Sequence, residues 1–217
     1  MIPYINIHTH HVSPDHGVFV FNNRFAHDYA YHTRSLFSIG VHPWDAGLVS
    51  ASWPEDLREL IQHPHCFALG ECGLDTLHGP ELLLQKRVFH RQLELAVEYS
   101  KPVIIHCVKA FDGLMELAGP YVHQVPLVIH GFNKSPQMAA QLIDKGFYLS
   151  LNPALFSKPD FDSRVIPLHR VFLETDMRDD LLIGDAYRAA AAWFGIAEEE
   201  LKERINGNFE TLKQKIA

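Results

Sequence analysis

Eight short runs rich in Val, Ile, Phe and Leu punctuate this chain: YINIHTH, GVFVFN, FSIGVHP, CFALGECGLD, PVIIHCV, PLVIHGF, FYLSLNP and VFLETD. Several are apolar on both faces, as a parallel strand is when helices cover it outside and side chains fill a barrel inside. Helical periodicity follows the third run over 54–61, the fourth over 82–99 and the sixth over 136–145. A β-α unit repeated over eight parallel strands points to an α/β TIM-type (β/α)8 barrel; an open doubly wound sheet is the other fold that the same alternation permits.

About six residues separate the first run from the second, with Ser13 and Pro14 among them, so the barrel is expected to be shortened between its first and second strands. With 217 residues, 47% of them hydrophobic and 21% charged, the chain has material for one core, and a single domain over 1–217 is expected. The last helix is expected over 198–216 with a break near Gly207, because glycine weakens a helix interior.

In such a barrel the reactive groups stand at the C-terminal strand ends. His8 and His10 close the first run, His42 the third, Glu71 and Asp75 the fourth, His106 the fifth, His130 the sixth, Asn152 the seventh and Asp176 the eighth. Residues two apart share a strand face, so Asn6, His8 and His10 point the same way, while Cys72 and Cys107 face the helix layer as small hydrophobes. His11 points away from the pair.

Each feature alone has a plainer reading. Among 15 histidines an H-x-H is usually a solvated strand end, Glu71 fits a structural ion pair, Asp176 fits the N-cap of a following helix, and His42 in HPW serves either loop packing or substrate contact. Four histidines and two carboxylates at successive strand ends, however, form a donor set suited to zinc, manganese, iron and, less well, magnesium.

The formal net charge of -7 opposes long-range attraction of phosphate backbones, although two divalent cations would offset about half of it locally. Three cysteines without regular spacing do not make a disulfide framework, which favours a reducing cytoplasm. No signal peptide and no membrane span are expected, and no feature indicates a protein partner.

These residues resemble the TatD family of metal-dependent deoxyribonucleases, within the amidohydrolase-like barrels. INIHTH is similar to its D-x-H-x-H opening, SIGVHPW to its G-[IV]-H-P segment, LGECGLD to G-E-x-G-L-D, KPVIIHC to P-V-x-x-H, LVIHGF to its H-C-F strand and LETD to its E-T-D strand. The resemblance implies two divalent ions, one among His8, His10, Glu71 and Asp176, the other among Glu71, His106 and His130, with Glu71 bridging. It further implies 3'-5' hydrolysis of a DNA phosphodiester by a water shared between the ions, with Asp176 and Glu71 catalytic and Asp176 taking the proton.

His42, Asn152 and Lys109 are candidate substrate contacts, and Asn6 and Glu174 candidate partners of the ligands. Two departures touch the substrate: Asn6 stands where the family has Asp, and Val108 where it commonly has Arg, with Lys109 beside it expected on the opposite face. The stretch from His11 to Leu36 is also shorter than in long family members. A small amide, lactone or aminoacyl ester is the competing substrate class, and a non-catalytic metal-binding barrel the competing non-enzymatic reading.

Overall fold

A computed structural model describes residues 2–12, 14–26 and 34–214. Its strands are β1 (Tyr4–Thr9), β2 (Gly17–Arg24), β3 (Phe37–Gly40), β4 (Cys66–Asp75), β5 (Val103–Val108), β6 (Leu127–Phe132), β7 (Tyr148–Leu151) and β8 (Val171–Leu173). They pair in chain order, all parallel. β8 ends sooner than the VFLETD run, yet the chain beyond it closes the ring. The amide of Asp176 donates to the carbonyl of His8 and that of His10 to the carbonyl of Asp176, each at 3.1 Å.

Lower in the same seam Asn6 does the work of a backbone rung. Its Oδ1 accepts from the amide of Thr175 at 3.2 Å, and its Nδ2 donates to Thr175 Oγ1 at 2.8 Å. The barrel expected from the sequence is therefore what forms, and the open sheet is not.

The helices are α1 (Trp53–Ile61), α2 (Leu82–Glu98), α3 (Phe111–Ala118), α4 (Pro136–Asp144), α5 (Ile183–Phe194) and α6 (Glu198–Gln214). Among the described residues no helix follows β1 or β2, and β7 reaches β8 through 3-10 turns only. Part of the His11 to Leu36 stretch, residues 13 and 27–33, lies outside the described residues, as do 215–217 at the expected end of the last helix.

The break expected at Gly207 does not occur. Leu201, Ile205, Phe209 and Leu212 bury one face of α6, and that packing outweighs the roughly 1 kcal/mol that a helical glycine costs. Among the described residues no helix is long and apolar enough to cross a membrane.

All ten residues of β4 are buried, and its glycines let it lie close against β5. At Gly70 (φ +132°) a Cβ would come 2.4 Å from the Ile104 carbonyl oxygen, and at Gly73 (φ +145°) 2.0 Å from that of His106. The β4–β5 register shifts between Leu69 and Cys72, and that irregularity holds Glu71.

Candidate metal centre

Glu71 lies at the middle of the polar cluster in the barrel mouth. Its Oε1 is 2.7 Å from His106 Nδ1, 2.7 Å from His130 Nε2 and 3.3 Å from His42 Nε2. Its Oε2 accepts from Asn22 Nδ2 at 3.2 Å and lies 3.6 Å from His8 Nε2. Burial alone would push the Glu71 carboxyl up, but His130, His106 and His42 hold it well below the usual carboxylate range.

The same contacts act in reverse on His130. Burial opposes its charged form, yet Glu71 and Glu174 raise its pKa well above the ordinary histidine value.

Asp176 stands across from His8 and His10, with Oδ1 3.3 and 3.6 Å from their Nε2 atoms. It adopts φ +50°, a conformation that a non-glycine residue holds only when its surroundings over-determine it. Burial works against its charge, but the His8 imidazole brings the carboxyl down to about 2. Desolvation lowers His10 to about 4, so that ring is neutral and free to ligate at any ordinary pH.

Donor atoms gather in three overlapping groups, each within 4.8 Å: His8, His130 and Asp176; His8, His10 and Glu71; and His42, Glu71 and His106. All six expected ligands thus come together, with two differences in grouping. His130 falls beside His8 and Asp176 as well as Glu71, and His42 stands among the donors.

Whether a divalent cation suits these residues can be judged from what the protein leaves unmet. Both ring nitrogens of His8, Nδ1 of His130 and Oε2 of Glu174 are buried without a hydrogen-bond partner. Stranding such atoms costs about 1–3 kcal/mol each, and the imidazole and carboxylate atoms that gather within 4.8 Å of one another, His8 among them, are of the kinds that ligate zinc, manganese or iron. The donor set fits.

Around this centre the fold supplies supports, of which Asp75 stood among the strand-end residues and Asn22 did not. Asn22, at the end of β2, accepts the amide of Glu71 at 3.0 Å and donates to its carboxylate. Its signal was the polar NN pair closing GVFVFNN, the one run whose end was left out. Asp75 Oδ2 is 3.3 Å from His106 Nε2 and accepts Trp44 Nε1 at 2.6 Å, while its Oδ1 takes the amides of Leu77 and His78.

Two buried glutamines on α2 complete that flank. Gln85 brackets the backbone of Asp75, and Gln92 brackets that of Val41, next to His42. Their seven-residue spacing on an otherwise apolar helix face was the available sign.

The other expected contacts divide. Glu174 lies with Oε1 3.5 Å from His130 Nδ1 and accepts the amide of Gly131 at 2.6 Å. Asn152 lines a cavity of about 170 Å³ with His106, Val108, His130, Lys134 and Asp176, though its Oδ1 is engaged by the amide of Ala154. Lys109 is exposed and lines a separate depression with Thr76, Lys86 and Asp112, whereas Lys134, unremarked in the sequence, opens onto the site. Asn6 reaches no ligand side chain; it holds Thr175, between Glu174 and Asp176.

Residues 21–214 match the family model described as TatD related DNase. The chain is 31% identical over 195 residues to the uncharacterized metal-dependent hydrolase YcfH of Escherichia coli (strain K12), covering 82% of this chain and 73% of the relative. It is 29% identical over 198 residues to the 3'-5' ssDNA/RNA exonuclease TatD of Klebsiella pneumoniae (strain 342), covering 80% and 74%. Its fold is similar to the crystal structure of YjjV, a TatD homologue from Escherichia coli K12, with a TM-score of 0.84 at 22% identity over 98% of each chain. A TatD-family hydrolase from Entamoeba histolytica follows, with a TM-score of 0.76 at 14% identity over 97% of each.

Proposed function

Because the chain belongs to the TatD-related DNase family, we propose that it is a hydrolase which uses two divalent ions to cleave phosphodiesters from an end of single-stranded DNA. The observation that carries this reading is the set of three imidazoles within 3.3 Å of one Glu71 oxygen, facing His8, His10 and Asp176. His8, His10, Glu71 and Asp176 would hold one ion, and Glu71, His106 and His130 the other; His42 is close enough to join the second. Manganese, zinc, iron and magnesium are the candidates. When bound, the ions supply Lewis acidity that activates water and offsets charge on a phosphoryl group.

The protein's own groups do the rest. Asp176 is the proton acceptor, because its side chain is 32% exposed while those of Glu71 and Glu174 are 7% and 1%. It alone among these carboxylates meets solvent, and it is ionised at neutral pH. Asp75 holds the His106 ring from behind through Nε2, and Glu174 stands 3.5 Å behind the Nδ1 of His130, on the side away from Glu71. Lys134 supplies the cation that Val108, in the same cavity, does not.

The test is a time course on end-labelled single-stranded DNA with manganese or magnesium, run beside a chelator control and the Asp176→Asn variant. Shortening by one nucleotide at a time, absent from both controls, is expected. Intact DNA from metal-loaded protein would overturn the nuclease reading and turn attention to amides, lactones and aminoacyl esters.

A further inference from the structure

A second, larger cavity of about 590 Å³ opens beside the metal centre, between the start of α3, the β6–α4 loop and the β7–β8 connection. Phe111 and Lys134 line both cavities, so the two adjoin across these side chains. Apolar surface dominates the larger one. Phe111, Met138 and Phe161 are among its apolar lining, and the Phe161 ring packs on Trp193 with centroids 5.4 Å apart.

Its charges are Lys134, Lys158 and the exposed Asp160. Lys158 is structural: its Nζ donates to the carbonyls of Asn133 and Lys134 at 3.1 Å each and clamps the loop that carries Lys134. Lys134 itself is exposed, makes no ion pair among the described residues, and holds its Nζ 5.9 Å from the Phe111 ring. An unneutralised cation at the junction of a metal centre and an aromatic-walled groove is notable in a chain of net charge -7.

We propose that this groove seats the nucleotide next to the scissile phosphate of a single strand, with its base against Phe111 and Met138 and its phosphate on Lys134. The volume suits a mononucleotide, for which pockets of roughly 300–1,000 Å³ are usual. Lys134 stands on the border of the two cavities, where the neighbouring phosphate of a strand that passes from one to the other would lie. A base can lie on Phe111 only when it is unpaired, so the groove selects single strands over duplex, and oligonucleotides over small diesters that have nothing to place there. The proposal rests on the nuclease reading above.

The experiment compares kcat/KM of the metal-loaded enzyme on a short single-stranded oligonucleotide with kcat/KM on bis(4-nitrophenyl) phosphate. The ratio of the two is measured for wild type, Phe111→Leu, Phe111→Tyr and Lys134→Gln. Phe111→Leu keeps apolar bulk without a stacking face and is expected to lower the ratio about tenfold, while Phe111→Tyr restores it. Lys134→Gln, at an exposed position, is expected to lower the ratio and to flatten the salt dependence of oligonucleotide KM.

A wild-type enzyme that cuts DNA, with a ratio unmoved by Phe111→Leu and Lys134→Gln, would overturn the groove and leave the nuclease reading standing. A wild-type enzyme that cleaves the small diester and leaves DNA intact would overturn the nuclease reading and the groove with it.

Discussion

The two flanks of Glu71 are built on different terms. Toward β3, β4 and β5, none of the buried side-chain nitrogens and oxygens of His42, His106, Asp75, Gln85 and Gln92 lacks a partner. His106 is held between Glu71 and Asp75, Asp75 is tied to Trp44, and α2 glutamines pin the backbone of both loops. Toward β1, β6 and the end of β8, His8, His130 and Glu174 each keep a buried polar atom that no protein group satisfies. One flank is hydrogen-bonded throughout by the protein, and the other keeps buried polar atoms without a hydrogen-bond partner beside the carboxylates of Asp176 and Glu174.

Glu71 belongs to both flanks, so its loss has the largest effect expected. Glu71→Gln is expected to weaken metal retention at least about a hundredfold and to remove nearly all cleavage. Metal analysis after dialysis, together with the labelled-DNA assay, checks it; a variant that keeps its metal would dissolve the distinction between the flanks. Asp176→Asn comes next, with turnover expected to fall by about 10²–10⁴ while the fold, read by circular dichroism, persists. An unchanged rate would remove Asp176 from proton transfer.

A direct contest between the flanks follows. Asp75→Asn disturbs a fully bonded network that includes Trp44 and His106, and is expected to weaken metal affinity by about 10–100-fold. Glu174→Gln keeps an oxygen for the amide of Gly131, so its loss is expected at the low end of that range, near tenfold. The opposite order in a titration would mean that the pre-organised side is the one around β6 and β8.

Protons offer a gentler probe. Burial opposes a charge on His130, but contact with Glu71 and Glu174 raises it and so favours a proton there in the metal-free protein. That proton stabilises the metal-free fold below the unfolded histidine value, and the benefit is lost as pH rises through the raised folded value. A cation at His130 must displace it, so apparent metal affinity is expected to rise from pH 6 to pH 8. Calorimetry in buffers of different ionisation enthalpy should register the release, and a buffer-independent heat would contradict it.

The smallest effect is chemical silence. Burial pushes the Cys66 and Cys107 thiols up to about 12 and Cys72 well above its ordinary value. Thiolate at pH 8 is then on the order of one part in ten thousand for the first two, and native alkylation should be slow. Cys72 and Cys107 adjoin Glu71 and His106, so rapid labelling would show that the hydrogen-bonded flank opens readily.

How much of this was legible in the sequence follows the same division. Five of the six expected ligands lie at or near the ends of apolar strand runs, because barrel geometry turns strand ends into a single rim, and Glu71 reaches the same cluster from the middle of β4 at the register shift beside β5. Of the supports, Asp75 and Glu174 stood out at strand ends, whereas Asn22 and Gln92 did not, since each depends on a contact between elements far apart in the chain. Asn22 reaches Glu71 across 49 residues, and Gln92 reaches Val41 across 51. Gly207 was misleading for a related reason: tertiary burial of one α6 face overrode local propensity.

The most direct measurement is a calorimetric titration of metal-stripped protein with manganese, run beside Glu71→Gln. Two ions bound per chain, with binding lost in the variant, is the expected result. No saturable binding to the wild type, or binding that Glu71→Gln leaves unchanged, would contradict the assignment of this cluster as a metal centre.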